Sequence, residues 1–269
     1  MDLRLLALDA LRQPDPRAKV LAAQELAQAW SAGLRPQTEV TWPEPADVPG
    51  RPSTPRLVPA KQVPRRNLHS ATGRAALLHA VTHIEFNAIN LALDAVWRFA
   101  HLPEAFYGDW IRVAAEEAHH FSLLQAHLHS LGHQYGDFDA HDGLWAMTRQ
   151  TAGDVVARMA LVPRTLEARG LDATPAMRER LLRSGDAPAA AILDVILRDE
   201  IGHVAVGNHW YRWLCAREGL DPLQHYARLC VQYRAPRLKG PFNYEARAQA
   251  GFTPAELHTL TDAEPQPLG

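Results

Sequence analysis

Cysteine is scarce in this sequence. The 269 residues include only two, Cys215 and Cys230. They form no CxxC pair and no set of bridges, so a disulfide-stapled fold is excluded and a reducing, cytoplasmic compartment is expected. Long apolar runs are also missing. No stretch approaches the roughly 18 to 20 uninterrupted apolar residues of a membrane span. The apolar start, Met1 to Ala10, carries Asp2, Arg4 and Asp9 and lacks the basic region, long apolar run and small-residue cleavage site of a signal peptide. No charge of one sign predominates. Lysine plus arginine total 28 against 30 aspartates and glutamates, a formal net charge of −2. That gives no global electrostatic case for nucleic acid or an anionic membrane. Finally, no convincing alternation of apolar and polar residues marks a strand.

What is abundant is helical periodicity and histidine, of which there are 14. A chain of this length buries a sizeable core without needing a metal or disulfide merely to fold. Residues 2–30 read as two short helices broken near Pro14 and Pro16. Residues 35–64 are proline-rich and suit an extended wrap, with Trp42 and Leu57 as anchors. Four longer helical segments follow. The first spans about Ser70 to Phe99, with Ser70 or Thr72 as its cap, and the second about Pro103 to Leu131, stopping at Gly132. The third comes in two pieces, near Leu144 to Thr151 and Asp154 to Arg169, and is expected to stop at Gly170. A short helix from Thr174 to Arg183 would place Pro175 at its first position. The fourth runs from about Ala187 to Arg217 and stops at Gly219. The tail is expected to add a helix near Pro222 to Tyr233 and then irregular chain ending in polar, proline-bearing residues. The boundaries so drawn are 1–66 for the N-terminal helices and wrap, 67–217 for a four-helix bundle, and 218–269 for the C-terminal helix and tail.

The second long helix contains Glu116-Glu117-Ala118-His119-His120-Phe121, in which two ExxH registers overlap. Helical phase separates them. Trp110, Val113, Ala114, Glu117, His120, Phe121, Leu124, Leu128 and Leu131 share one stripe at three- and four-residue spacing. Asp109, Arg112, Glu116, His119, Leu123 and His127 form a rival, solvated stripe. Glu117 and His120 are therefore the pair directed at the core. The fourth helix repeats the pattern, with Glu200 and His203 in phase with Leu193, Ile196, Leu197, Val204 and Gly207. The first helix adds Glu85, in phase with Leu78, Val81, Ala88, Ile89 and Ala92. The third adds Glu167, in line with Val156, Ala160, Pro163 and Leu166. Pro163 removes a helix hydrogen bond just before Glu167 and should kink that helix.

Ionised carboxylates in an apolar core cost several kcal/mol each even after relaxation, and four together would repel one another and neutralise. Two divalent cations remove the problem. Oxygen donors with imidazole suit iron or manganese, or a mixed pair, and ligand type does not separate these. The order Glu, ExxH, Glu, ExxH is that of di-iron and di-manganese carboxylate bundles. The separations, 32 residues from Glu85 to Glu117 and 33 from Glu167 to Glu200, are those of two helical hairpins. The expected metal ligands are Glu85, Glu117, His120, Glu167, Glu200 and His203, with no further catalytic side chain.

The segments His79 to Glu85, Glu116 to Phe121, Leu166 to Asp172 and Arg198 to Val204 resemble the ferritin-like proteins grouped as the domain of unknown function DUF455. The tail from Lys239-Gly240-Pro241-Phe242-Asn243 to Gly251-Phe252 is similar too. The resemblance implies an all-α, ferritin-like four-helix bundle with a di-metal site, most simply di-iron, and it names no substrate. In bacterial di-iron monooxygenases an acid directly before a ligand glutamate hydrogen-bonds a ligand histidine. By that resemblance Asp199 would orient His120 and Glu116 would orient His203.

Of the neighbouring residues, His79 and His83 face away from Glu85 and are expected to be structural, packing on the wrap. His119, His127 and His129 are expected at the surface. Asn208 and His209 are weighed as ligand supports against a plain packing role, which is favoured. Arg234, Arg237, Lys239 and Arg247 are expected to form a solvated basic cluster with local salt bridges. Trp210, Tyr211 and Trp213 are expected in the core or an interface.

The activity expected is that of an oxygen-activating oxidase or hydroxylase acting on a small organic substrate. Dioxygen and an electron donor would be its partners, and a homodimer is an open assembly. The alternatives are a ferroxidase or iron-handling protein with no organic substrate, nucleotide modification like that of the di-iron tRNA hydroxylase (against which the charge argues), and a bundle that keeps its ligands but serves as a scaffold.

Overall fold

Helices begin where a short polar side chain can turn back onto the first free N–H groups of a helix. Asp2, Asp15, Ser70, Asp154, Asp221 and Asn243 each do this, accepting from backbone N–H groups two or three residues on. In a computed structural model, which describes residues 2–64, 68 and 70–261, these caps open helices in an all-α chain. They are α1 (Leu3–Arg12), α2 (Pro16–Ser31), α3 (Ala71–Arg98), α4 (Glu104–Ser130), α5 (Gly143–Gln150), α6 (Val155–Leu161), α7 (Ala168–Arg183), α8 (Ala187–Arg217), α9 (Pro222–Gln232), α10 (Tyr244–Gln249) and α11 (Pro254–Thr261). A π-helical segment, Val162–Glu167, joins α6 to α7. No strand occurs among the described residues; the only bridge there is an isolated one between Leu57 and Ala140. The polar end expected for the tail falls in 262–269, outside the described residues.

The chain forms two compact units, Met1–Ala146 with Ser184–Ile192, and Met147–Arg183 with Leu193–Gly269. In the first unit α3 and α4 pair along their lengths, and α1 and α2 pack on them. The buried rings of Phe86, Phe121 and Tyr135 meet at centroid distances of 5.3 to 5.7 Å. The proline-rich wrap is tied down by a buried cation. Arg4 donates to the carbonyls of Trp97, Gln37 and Val40, and its guanidinium stacks on Trp42, 4.7 Å from the ring centre. Trp42 is thus an anchor, as its sequence context suggested. Leu57 is not one through its side chain, which is exposed. Its segment is held by backbone, Val58 donating to Ala140 and Ala140 to Arg56.

In the second unit the expected stop at Gly170 does not occur. The helix α7 runs through Gly170 and on through Pro175, which lies inside it rather than at the start of a separate helix. Proline cannot donate to the carbonyl four residues earlier, here that of Leu171. The Asn243 side chain donates to that carbonyl instead, at 3.2 Å, so the helix continues. The tail is also more helical than its sequence suggested, with α10 and α11 where irregular chain was expected. Asn243 caps α10. A reciprocal box opens α11, Thr253 N–H donating to Glu256 and Glu256 N–H to Thr253. Ala246, Ala250 and Phe252 then bury themselves with Ala168, Leu171 and Val204.

Pro163 disrupts the α register as expected, and the disruption takes the form of the π segment. The Ala160 carbonyl accepts from the Thr165 hydroxyl at 2.7 Å. Gly207 of α8 makes room for Pro163, since a Cβ there would lie 2.6 Å from the proline Cβ. Helix propensity alone makes Gly207→Ala stabilising by about 1 kcal/mol. Overpacking against a rigid ring costs about 1–3 kcal/mol, so we expect Gly207→Ala to lose stability, up to about 2 kcal/mol net, read as a lower urea midpoint.

Candidate metal centre

Each of the six side chains singled out by helical phase is buried: Glu85, Glu117, His120, Glu167, Glu200 and His203. The periodicity explains why. On α4 the whole stripe from Trp110 to Leu128 that includes Glu117 and His120 is buried, while Arg112 and His119 of the rival stripe are exposed.

In the first unit, α3 delivers Glu85 and α4 delivers Glu117 and His120 to one point. Ligand atoms of the three lie within 4.8 Å of one another. His120 Nδ1 is 3.3 Å from Glu85 Oε2 and 3.4 Å from Glu117 Oε2. Burial, and then the neighbouring charge of Glu117, pushes the Glu85 carboxyl well above the usual carboxylate range. Burial acts to lower the His120 imidazole, but its hydrogen bonds to Glu117 and Glu85 outweigh that and push it up to about 11. Two carboxylates and an imidazole in one dry place must hold either protons or a cation.

In the second unit, His203 Nδ1 faces Glu200 Oε1 at 3.5 Å, the same atom pairing as in the first motif. Glu167 ends the π segment. Antiparallel register aligns it with α8: Pro163 packs against Gly207, Arg164 bonds Asn208, and Arg178 pairs with Asp194. The two residue numbers of each pair sum to nearly the same value, and Glu167 with His203 fits that register. Buried carboxylate oxygens with imidazole nitrogens are a donor set that fits iron or manganese.

The two acids expected to orient histidines are only half-buried. Glu116 pairs with Arg112 at 3.5 Å and Asp199 with Arg198 at 2.8 Å. His79 and His83 are buried and neutral, desolvation lowering them to about 4 and about 3. His79 Nε2 accepts from the Gly136 N–H, and His83 Nδ1 lies 2.8 Å from the Tyr135 hydroxyl. His83 also lines a small cleft with Arg51, Pro52 and Pro55 of the wrap. His129 is at the surface, but His127 is not, because its Nε2 is bonded to the buried Asp186 at 2.9 Å. Arg247 is a second correction. It is buried, paired with Asp172 at 2.6 Å, because α10 folds its polar residue inward. Asn208 is buried and packs as a link between Arg164 and the Ala250 carbonyl, and Trp210 and Tyr211 lie in the core. Sequence reading missed Arg164, Glu256 and Lys19. Thr253-Pro254-Ala255-Glu256 is a capping-box pattern with proline at the first helical position, a signal that would have exposed α11. Lys19, whose amine donates to the Leu11 carbonyl and Asn90, has no such signal.

The proton affinities carry a pH dependence. Glu85 and His120 are both raised above their ordinary values, so without metal the folded chain holds more protons than the unfolded one. Each contribution is complete below that group's own ordinary value, the carboxylate range for Glu85 and the histidine value for His120, and is lost as pH rises through the folded value. A metal ion held there would displace those protons, so its affinity would rise with pH. Lys19, His79 and His83 contribute alike with and without metal. The stabilisation by Mn(II) at fixed concentration is therefore expected to grow from pH 6 to pH 8, by about 1.4 kcal/mol per pH unit per proton released, read as a larger rise in melting temperature by differential scanning fluorimetry. A pH-independent increment would exclude displacement of protons from this cluster.

No helix among the described residues is long and apolar enough to cross a membrane, and both cysteines are free. A protein of Haemophilus influenzae, described only as uncharacterized, is 48% identical over 269 aligned residues, covering 95% of this chain and 92% of that protein. No solved structure matches the chain. The family model described as "Protein of unknown function (DUF455)" matches residues 12–258, and the chain belongs to that family.

Proposed function

We propose that the chain is a ferritin-like di-metal carboxylate protein, most simply di-iron, that activates dioxygen to oxidise or hydroxylate a small organic substrate. The bundle would span 67–217, with 1–66 and 218–269 as flanking segments. One observation carries the reading: two helices present the same Glu-x-x-His pair inward, and each pair has a further buried glutamate within its own unit. Glu85, Glu117 and His120 would hold one side of a two-ion centre, and Glu167, Glu200 and His203 the other. The arrangement matches the bundle pattern of two lone glutamates and two Glu-x-x-His motifs. When bound, a redox-active pair of ions supplies the reductive activation of dioxygen.

The chain's own contribution is orientation and exclusion of water. Glu117 and His120 are fully buried, walled along α4 by Trp110, Val113, Ala114, Phe121 and Leu124. Such a pocket strengthens every charge interaction within it and keeps bulk water from the reacting centre. An electron donor would reduce the centre between turnovers. A cytoplasmic setting agrees with the free thiols of Cys215 and Cys230.

Metal analysis of the purified protein should find two transition-metal ions per chain, iron foremost. His120→Ala and His203→Ala should each lower that number to about one. After anaerobic reduction, exposure to air should consume oxygen and develop a new absorption band. A chain that retains a single ion in all three forms would sink the two-ion reading. A large hollow particle carrying many irons per chain would replace the oxidase with storage.

A further inference from the structure

The π-helical segment places a full positive charge in the interior of the second unit. Arg164 is buried. Its Nη1 donates to Asn208 Oδ1 at 2.6 Å and its Nη2 to Glu256 Oε1 at 2.9 Å. Its guanidinium lies 4.8 to 5.1 Å from the ring centres of Phe252, Tyr226 and Tyr211. Each partner is itself fixed. The Asn208 amide donates to the Ala250 carbonyl at 2.9 Å, and Glu256 Oε2 accepts from the Thr253 N–H at 2.7 Å. The next residue is held as well, the Thr165 and Tyr226 hydroxyls lying 2.9 Å apart.

The geometry points to Arg164, gripped by Asn208 and Glu256, as the positioning residue that sets Glu167 for its metal ion. This rests on the two-ion reading above. A π turn is a rare, poorly bonded departure from the α ladder and persists where tertiary contacts impose it. Here Pro163 has already removed one ladder donor, so the segment's rotation depends on what grips its side chains. Arg164 is three residues from Glu167, less than one turn away, and no flexible joint separates them. The planar fork of arginine reaches two acceptors on two different helices at once, one on α8 and one on α11. An ammonium lacks that planar fork and holds its partners less rigidly. A guanidinium this deeply buried is costly unless paired; the carboxylate and the amide pair its two Nη atoms and three aromatic faces surround it, while its Nε is buried without a hydrogen-bond partner. The tail helices α10 and α11 thus act on the metal site at one remove, by fixing the arginine that fixes the glutamate.

The test is an anaerobic Co(II) titration of the full chain followed by optical absorption, with the circular dichroism of each variant confirming its fold. His203→Ala identifies which binding step belongs to the second unit's ligands. In Arg164→Met that step should weaken about ten- to hundredfold, the usual range for a residue supporting a ligand, with an altered Co(II) spectrum and the other step unchanged. Arg164→Lys should fall between the two. Unchanged affinities and spectrum in a folded Arg164→Met would overturn the proposal, and so would equal weakening of both steps, which marks general loosening. Should Arg164→Met fail to fold, Arg164→Lys decides alone: a selective loss at the identified step supports the proposal, and wild-type affinities reject it. Failure of the two-ion reading would instead be seen in the wild-type protein, as a titration without a second step.

Discussion

A carboxylate surrounded by hydrocarbon has to be neutralised, and the helices of this chain deliver four of them inward. This constraint governs the rest of the structure. In the first unit the pressure is visible in the side chains themselves, where Glu85 is forced toward its protonated form and His120 toward its charged form. An arrangement built only for stability would place leucine at these positions, since apolar replacements of buried ionic groups are often neutral or stabilising. Retaining the charges in helices that are otherwise buried is intelligible when a cation is their partner.

The sequence revealed the phase of the helices more reliably than their ends. Glu117 and His120 could be told from Glu116 and His119 because an α-helix repeats every 3.6 residues and the apolar neighbours repeat with it. The start at Ser70 was legible for a similarly local reason, a capping oxygen. The failures came where distant chain supplies what local chain lacks. Gly170 and Pro175 look like a helix end and a helix start, yet Asn243, far along the sequence, donates to the carbonyl that proline leaves open. Arg247 looked like surface because its neighbours in sequence are basic and polar, while its partners, Asp172 and the Ala168 carbonyl, come from another helix.

The π segment shows why the candidate site was only partly readable. Phase arguments assume a constant period, and Val162–Glu167 departs from it. Glu167 still reaches the interior, and so does Arg164, which lies four residues after Ala160 and three before Glu167 on the same helical face; its charge made it look like surface. Gly207 carried a hint, since a glycine within the longest helix is a local loss of stability that makes sense when another backbone passes close to it.

The grip on Arg164 also has a consequence in time. A nascent chain emerges from its N-terminus, and its parts fold as they become available. The π segment is made well before Asn208, Tyr226 and Glu256, which are the groups that hold its arginine. Until Glu256 has left the ribosome, the arginine therefore lacks the carboxylate that offsets its burial. A metal ion at the proposed centre would find the second unit's glutamate, Glu167, set in place only after Glu256 has been made.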